Sequence, residues 1–395
     1  MALLTAAAKG FSRRALPVAL TGLRSATSSR LPDLQPLTQA HRQAYVPYVS
    51  AFFAGNNSGR GFAAAAGLSQ ETIDICKSTA PVLAEHGYSI TKTMYSKMLA
   101  DHPDVSELFN KTHQQEINGQ KAFQPQALAS AVHAYASHMD DLGALTTAVE
   151  RIAHKHVSVM VTPEQYDIVG ANLLWAIKEV LGDAATPQVI SAWGEAYGFL
   201  ANVFINREKQ LYDEFAASPN GWRGWKEFEV VRKEIEVYSI MSVYLRPKDG
   251  KGVPSFLPGQ YIGLRANVPG EGIVVRNYSL SSAPASDVFR ITVKRDRPKG
   301  KMAPYGVMSY YIHDRLDIGD TIEVSQPAGD FWFQEDGSSK PLVLIAGGIG
   351  ITPVISILEH IVQNKIPRHV TVFASVRSSK LEPYSEALKE IAVSN

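Results

Sequence analysis

Between positions 68 and 221 apolar residues recur at the three- and four-residue spacing of amphipathic helices. The plainest case opens at Thr162-Pro163-Glu164-Gln165, where threonine caps, proline takes the first turn and Gln165 reaches back as in a capping box. Ile168, Leu173, Ile177, Val180 and Leu181 then fall near one face, and Gly182-Asp183 ends the helix. A second long helix starts near Thr186-Pro187 and carries Ile190, Trp193, Tyr197, Leu200, Phe204 and Leu211. Shorter segments are predicted at Thr72–His86, Ile90–Leu99, Val105–Phe109 and Pro125–Asp141. Together they predict an all-α domain over residues 68–221.

The period changes after Gly221. Phe228–Val237, Met241–Leu245, Gln260–Leu264, Val274–Leu280, Phe289–Lys294 and Thr321–Ser325 read as strands, rich in β-branched and aromatic residues and separated by Pro/Gly turns. Short strands at this spacing predict an antiparallel β-barrel over 222–337. From Lys340 an apolar strand PLVLIA, a glycine turn GGIGITP, a helix VISILEHIV and a strand HVTVFAS form one βαβ unit of an α/β module over 338–395.

Charge adds a fourth segment. Residues 1–70 hold seven Lys/Arg against one acid, Asp33 (+6), whereas the remaining 32 Lys/Arg and 37 Asp/Glu give −5. Residues 1–32 carry Lys9, Arg13, Arg14, Arg24 and Arg30 and no acid, among Ser, Thr and Ala, which suits a mitochondrial transit peptide. The alternatives are a disordered basic tail in a cytosolic protein and, more weakly, a secretory leader, for which no uninterrupted apolar core is present. Residues 1–67 are therefore read as transit peptide and linker, with matrix localisation expected. The single cysteine, Cys76, excludes an intrachain disulfide and any multi-cysteine metal site. No run of eighteen apolar residues offers a membrane span. The acidic body, and a basic head without interleaved aromatics, argue against nucleic-acid binding.

Seven of the eleven histidines lie between His86 and His156, but none are three or four apart on one helix, so a two-histidine zinc face has no candidate. His154 and His156 are about 200° apart on a helix, so at most one points into the core. Taken alone, such a residue is more often a hydrogen-bonded core histidine than a ligand.

The segments RIAHKHVSVMVTPEQYDIVGANLL and AWGEAYGFLANVFINREKQLY resemble the haem-binding half of the flavohaemoglobins, and residues 68–395 follow that family's globin, flavin-barrel and nucleotide order. The resemblance implies that His156 is the proximal ligand of a haem b iron, that Tyr95 in TMYSKM and Gln124 in FQPQAL are the distal pair, and that Phe109 packs on the haem. Tyr166 in PEQY and Glu208 in NREK correspond to the proximal partners. A carboxylate that accepts the imidazole hydrogen bond gives the ring anionic character and pushes electron density onto iron. The stretch HQQEINGQKAF, ahead of Gln124, is longer than the family's loop.

In the barrel, Arg276-Asn277-Tyr278-Ser279 is weak as a bare string. An arginine can neutralise a flavin-nucleotide phosphate, a tyrosine two residues on shares its strand face, and the serine can hydrogen-bond flavin. With Tyr261 in PGQY upstream and Gly306 and Ser309 in GVMS opening a helix, the set resembles the ferredoxin-reductase type FAD barrel. Lys294 and Arg295 are equally a solvated strand face. Gly347, Gly348 and Gly350, followed by Thr352 and Pro353, match the reductases' form of the diphosphate turn, which implies NAD(P)H. From Lys340 there are 56 residues, against about 110–120 for such a module. A partial NAD(P)-binding module with an open apolar sheet edge is expected.

The resemblance implies a nitric oxide dioxygenase, an oxidoreductase that oxidises NO to nitrate with O2 and NAD(P)H through FAD and haem. It is expected to act as a monomer without stable membrane insertion. Lys155, beside His156, either lines the flavin-to-haem path or is an ordinary solvated lysine. Two other readings stay open: a globin that stores or senses O2 or NO beside a disabled reductase, and a reductase whose helices are only a structural partner.

Overall fold

A computed structural model describes residues 67–284, 287–296 and 305–394. The transit-peptide and linker reading of 1–67 therefore falls almost wholly outside the described residues.

Seven α-helices build the first unit: α1 (Gln70–Ser78), α2 (Ala80–Asp101), α3 (Pro103–Ser106), α4 (Phe123–Ser137), α5 (Thr146–Val157), α6 (Pro163–Leu181) and α7 (Pro187–Ala217). The capping box at Thr162 and Gln165 forms as the sequence predicts, and Thr186 caps α7 by accepting from Val189 N at 3.3 Å. α2 packs on α4 and α6, while α7 runs past α1, α5 and α6.

The first helices differ from expectation. The break falls at Thr79, ahead of Pro81 in the first turn of α2, and Gly87 lies within α2. Pro81 lacks an N–H that an interior turn would need, so it marks a start. Gly87 continues α2 and faces α4, where a Cβ on it would meet Ala129 Cβ at an ordinary 3.4 Å. The Val105–Phe109 segment shortens to the single turn of α3, and α4 ends at Ser137 rather than Asp141.

The second unit is a six-stranded antiparallel sheet: β1 (Lys226–Val237), β2 (Ile240–Pro247), β3 (Tyr261–Val268), β4 (Gly272–Ser279), β5 (Phe289–Lys294) and β6 (Thr321–Val324), in the order β4-β3-β6-β1-β2-β5. A bridge between Leu280 and Ile291 joins the outer strands and closes the barrel. Its interior is filled by alternating inward residues such as Phe228, Val243, Leu245, Ile262, Leu264 and Phe289, with the rings of Phe228 and Phe289 stacked at 5.5 Å. Helix α8 (Val307–Asp314) adds Met308 and Ile312 to that core.

The third unit pairs β7 (Leu342–Gly347) in parallel with β8 (Val370–Ser375) around α9 (Ile351–Gln363), followed by α10 (Ser385–Ser394). Leu344, Ala346, Val370 and Val372 pack on Ile351, Val354, Ile355 and Leu358, while Val343, Ile345 and Phe373 remain exposed. Among the described residues no helix is long and apolar enough to cross a membrane.

The α6–α7 crossing depends on one small residue. A Cβ on Gly170 would lie 2.5 Å from the ring of Tyr197, whose hydroxyl donates to Tyr166 O at 2.6 Å. Gly170→Ala is expected to cost about 1–3 kcal/mol by overpacking. An unchanged denaturation midpoint would contradict this packing.

Candidate functional site

Three helices converge on one carboxylate oxygen. His156 near the end of α5 donates from Nδ1 to Glu208 Oε1 of α7 at 2.7 Å, and Tyr166 of α6 donates its hydroxyl to the same oxygen at 2.5 Å. The phenol oxygen also lies 2.9 Å from Nδ1, so the ring hydrogen is shared between two acceptors. Burial, together with the charge and hydrogen bond of Glu208, pushes the Tyr166 phenol far up, keeping it a donor. Phe204 packs beside the imidazole at 5.7 Å. With Nδ1 engaged, Nε2 is the nitrogen left for a metal.

Across the unit, Gln124 Nε2 donates to Tyr95 Oη at 3.2 Å, and Phe109 meets the Tyr95 ring edge-on at 5.4 Å. Burial pushes the Tyr95 hydroxyl up to about 12, so it stays protonated at neutral pH. The helical core divides into two apolar clusters, one containing Tyr95 and the other Tyr166 and Phe204. Tyr197, Phe199 and Leu200 pack against both. The His156 side chain keeps 31% of its surface accessible, unlike the 4% of Glu208. An oriented imidazole, one free ring nitrogen and a divided apolar core fit a flat prosthetic group with a metal at its centre.

Helix α5 also docks the barrel. Ser158 Oγ accepts from Asn277 Nδ2 at 2.7 Å, His154 Nδ1 accepts from Gly329 N at 3.1 Å, and Arg151 pairs with Asp330 at 3.0 Å. A Cβ on Gly263 would lie 2.1 Å from Ser158 O, so only glycine fits where the two units touch. His154 and His156 thus diverge: one is buried against the barrel loop, the other faces into the helical unit.

A cavity of about 980 Å³ opens between the units. Barrel residues Arg276, Asn277, Tyr278, Gly306 and Ser309 line one side, and residues of the 110–123 segment the other. Asn277 Oδ1 is buried without a partner, while the neighbouring Arg276 guanidinium lines the cavity, which fits an anionic ligand. Ser309 Oγ is already engaged, donating to Gly306 O at 2.8 Å and accepting from Asp296 N at 3.1 Å. Gly306 has its own reason, since a Cβ there would lie 2.8 Å from Asp296 Cβ.

Tyr261 and Ser279 pair across β3 and β4 and do not line the cavity. The Tyr261 phenol is pushed up to about 12 by burial, against hydrogen bonds with Ser158 and Asn277. Lys294 lines the cavity, whereas Arg295 pairs with Asp314. Lys155 is exposed on α5, although nearby protein and the Arg276 charge push its ammonium down to about 8.

At the third unit, Gly348 has φ +54°, and added Cβ atoms at Gly347, Gly348 or Gly350 would meet nothing within 4 Å. Among the described residues nothing fills the space in front of these glycines, which fits backbone approach by a diphosphate. Thr352 Oγ1 donates to Ile349 O at 3.0 Å, and Pro353 lies in the first turn of α9.

A globin-like helical unit docked to a flavin-reductase type barrel and a nucleotide-binding βαβ unit is the class that this architecture defines. The globin family matches residues 92–204, the oxidoreductase FAD-binding domain 227–333 and the oxidoreductase NAD-binding domain 344–395. A flavohemoprotein of Halalkalibacterium halodurans is 48% identical over 304 residues, 77% of this chain and 72% of that protein. One from Oceanobacillus iheyensis is 43% identical over 328 residues, 83% and 79% of the two chains. The crystal structure of flavohemoglobin from Malassezia yamatoensis with bound FAD and heme superposes with a TM-score of 0.70 at 30% identity, covering 83% of this chain and 82% of that one. The chain belongs to the flavohemoprotein family.

Sequence reasoning missed Ser158, Gly263, His154 as a docking residue, and Asn110, whose Oδ1 accepts from Arg276 Nη2 at 3.0 Å. Their partners lie more than a hundred positions away, so no local pattern signals them.

Two outcomes follow from this geometry. Glu208→Gln replaces the charged acceptor and is expected to raise the reduction potential of a metal held by His156 and to cost about 10- to 100-fold in activity; an unchanged potential would contradict the proximal geometry. His154 is held neutral, its pKa pushed down to about 4 from 6.5 by burial and then by the Arg207 charge. The unfolded chain takes up this proton first, so stability falls as pH drops from about 6.5 towards 4. Equilibrium unfolding of His154→Gln is expected to show a shallower acid slope over that window, and an identical slope would count against it.

Proposed function

We propose that this protein is a nitric oxide dioxygenase, oxidising NO to nitrate with O2 and NAD(P)H, and that the His156–Glu208–Tyr166 cluster docked onto the Arg276–Ser279 strand carries that activity. The family relationship and the fit of these residues to haem b, FAD and a nicotinamide nucleotide support the reading. When bound, FAD converts the two-electron donor into one-electron steps and haem supplies the iron at which O2 and NO react.

The chain's own residues do the rest. His156 Nε2 would hold the iron, and Glu208, accepting from Nδ1, fixes the ring and strengthens its electron donation. Tyr95 is kept protonated by burial, and because Gln124 donates to its oxygen, its own hydrogen is free for a diatomic ligand. Phe109 and the surrounding apolar side chains keep water from that space. In the barrel, Arg276 supplies positive charge for a nucleotide phosphate and the Tyr278 ring a stacking face. Gly347, Gly348 and Gly350 leave backbone N–H groups open to the diphosphate of NAD(P)H, with Thr352 and Pro353 starting the helix behind them.

The same proposal includes matrix localisation through the basic, acid-free residues 1–32, and action as a monomer.

Purified protein is expected to consume NO aerobically with NAD(P)H and to form nitrate, and Tyr95→Phe to release O2 faster in stopped-flow measurements. Haem reducible by dithionite but not by NAD(P)H would favour a storage or sensing globin instead. A fluorescent protein fused behind residues 1–67 is expected in mitochondria, and a diffuse cytosolic signal would contradict the leader.

A further inference from the structure

The segment joining α3 to α4, longer than the flavohaemoglobin pattern suggests, is a built structure. Asn110 Oδ1 caps the 3₁₀ turn Lys111–Gln114, accepting from Thr112 N at 3.1 Å and from Thr112 Oγ1 at 2.5 Å. Asn118 and Gly119, with φ of +54° and +73°, turn the chain so that Ile117 and Gln120 form a bridge. Glu116 is clamped by the Tyr88 hydroxyl at 2.8 Å and Lys92 Nζ at 2.7 Å, and Ala122 N donates to Tyr88 Oη at 2.8 Å.

This segment faces the barrel across the interdomain cavity, with His113, Gln115 and Phe123 among its lining. Lys111 reaches across to pair with Glu271 at 3.7 Å. Burial, then the charges of Arg276 and Lys155, push the His113 imidazole down, and His113 lines the cavity together with Arg276. The Asn110 oxygen that caps the turn also accepts from Arg276 Nη2 at 3.0 Å, while Arg276 Nη1 donates to Val275 O at 2.6 Å. One arm of the guanidinium is therefore held by the helical unit and the other by its own strand. A planar cation fixed at both arms loses little freedom when it meets an anion.

We propose that the helical unit completes the flavin-nucleotide site: Asn110 is a positioning residue that orients Arg276 for the nucleotide phosphate, and the 111–123 segment is the second wall of the cavity. This rests on reading the cavity as the FAD site. Flavin binding and docking of the two units are then linked, each strengthening the other.

The test measures FAD affinity of the full, haem-loaded, deflavinated chain by quenching of flavin fluorescence. Asn110→Ser keeps a short side-chain oxygen for the Thr112 cap but does not reach Arg276. It is expected to weaken FAD binding about tenfold, the size of one lost hydrogen bond to a charged group, at unchanged haem content. On an Arg276→Ala background the same change is expected to add little. An unaltered FAD affinity in Asn110→Ser, with Arg276→Ala weakened, would overturn the positioning role alone, as would full additivity of the two changes. No FAD uptake by the wild type, or an Arg276→Ala chain that binds FAD normally, would overturn the flavin reading and this proposal with it.

Discussion

The hydrogen bond from His156 to Glu208 is the interaction on which the helical unit depends. A carboxylate only 3% exposed is costly unless its oxygens meet donors, and here two donors from two other helices meet one oxygen. Together the two bonds fix the mutual register of α5, α6 and α7, and the first stops the imidazole from rotating. Its second nitrogen is left for chemistry because the first is fully committed. Replacing the carboxylate would leave a buried ring hydrogen poorly matched, so structure and electron donation are set by the same atoms.

The same short helix positions that imidazole against the barrel. Arg151 and His154 contact the neighbouring residues Asp330 and Gly329 of one barrel loop, Ser158 contacts Asn277 of β4, and Gly263 lets the backbones touch. Asn277, which donates to Ser158, sits between Arg276 and Tyr278 on β4. Few covalent and hydrogen-bonded steps thus separate His156 from the strand proposed to hold flavin. For one-electron transfer that economy matters, since the separation of the two centres is set by a rigid helix end rather than by the 218–225 linker.

Local chemistry made much of this legible in the sequence. The capping box at Thr162, the proline starts of α6 and α7, the alternation along β1 to β6 and the glycine turn after β7 all act within a few residues. The break between α1 and α2 falls at Thr79, whereas the sequence pattern predicts one segment running on to His86. Asn277 stood within a recognisable string, but its docking to Ser158 did not, since the partners are 119 positions apart. Tyr261 and Ser279, both in the motifs that resemble a flavin barrel, are cross-strand neighbours on β3 and β4, next to the cavity-lining Tyr278.

Absorption spectroscopy of the purified full chain after reconstitution with haem and FAD, wild type beside His156→Ala, tests the proximal imidazole most directly. The expected result is a stoichiometric haem band together with flavin bands in the wild type, and flavin bands without the haem band in His156→Ala. Stoichiometric haem with unchanged ligation in His156→Ala would contradict it.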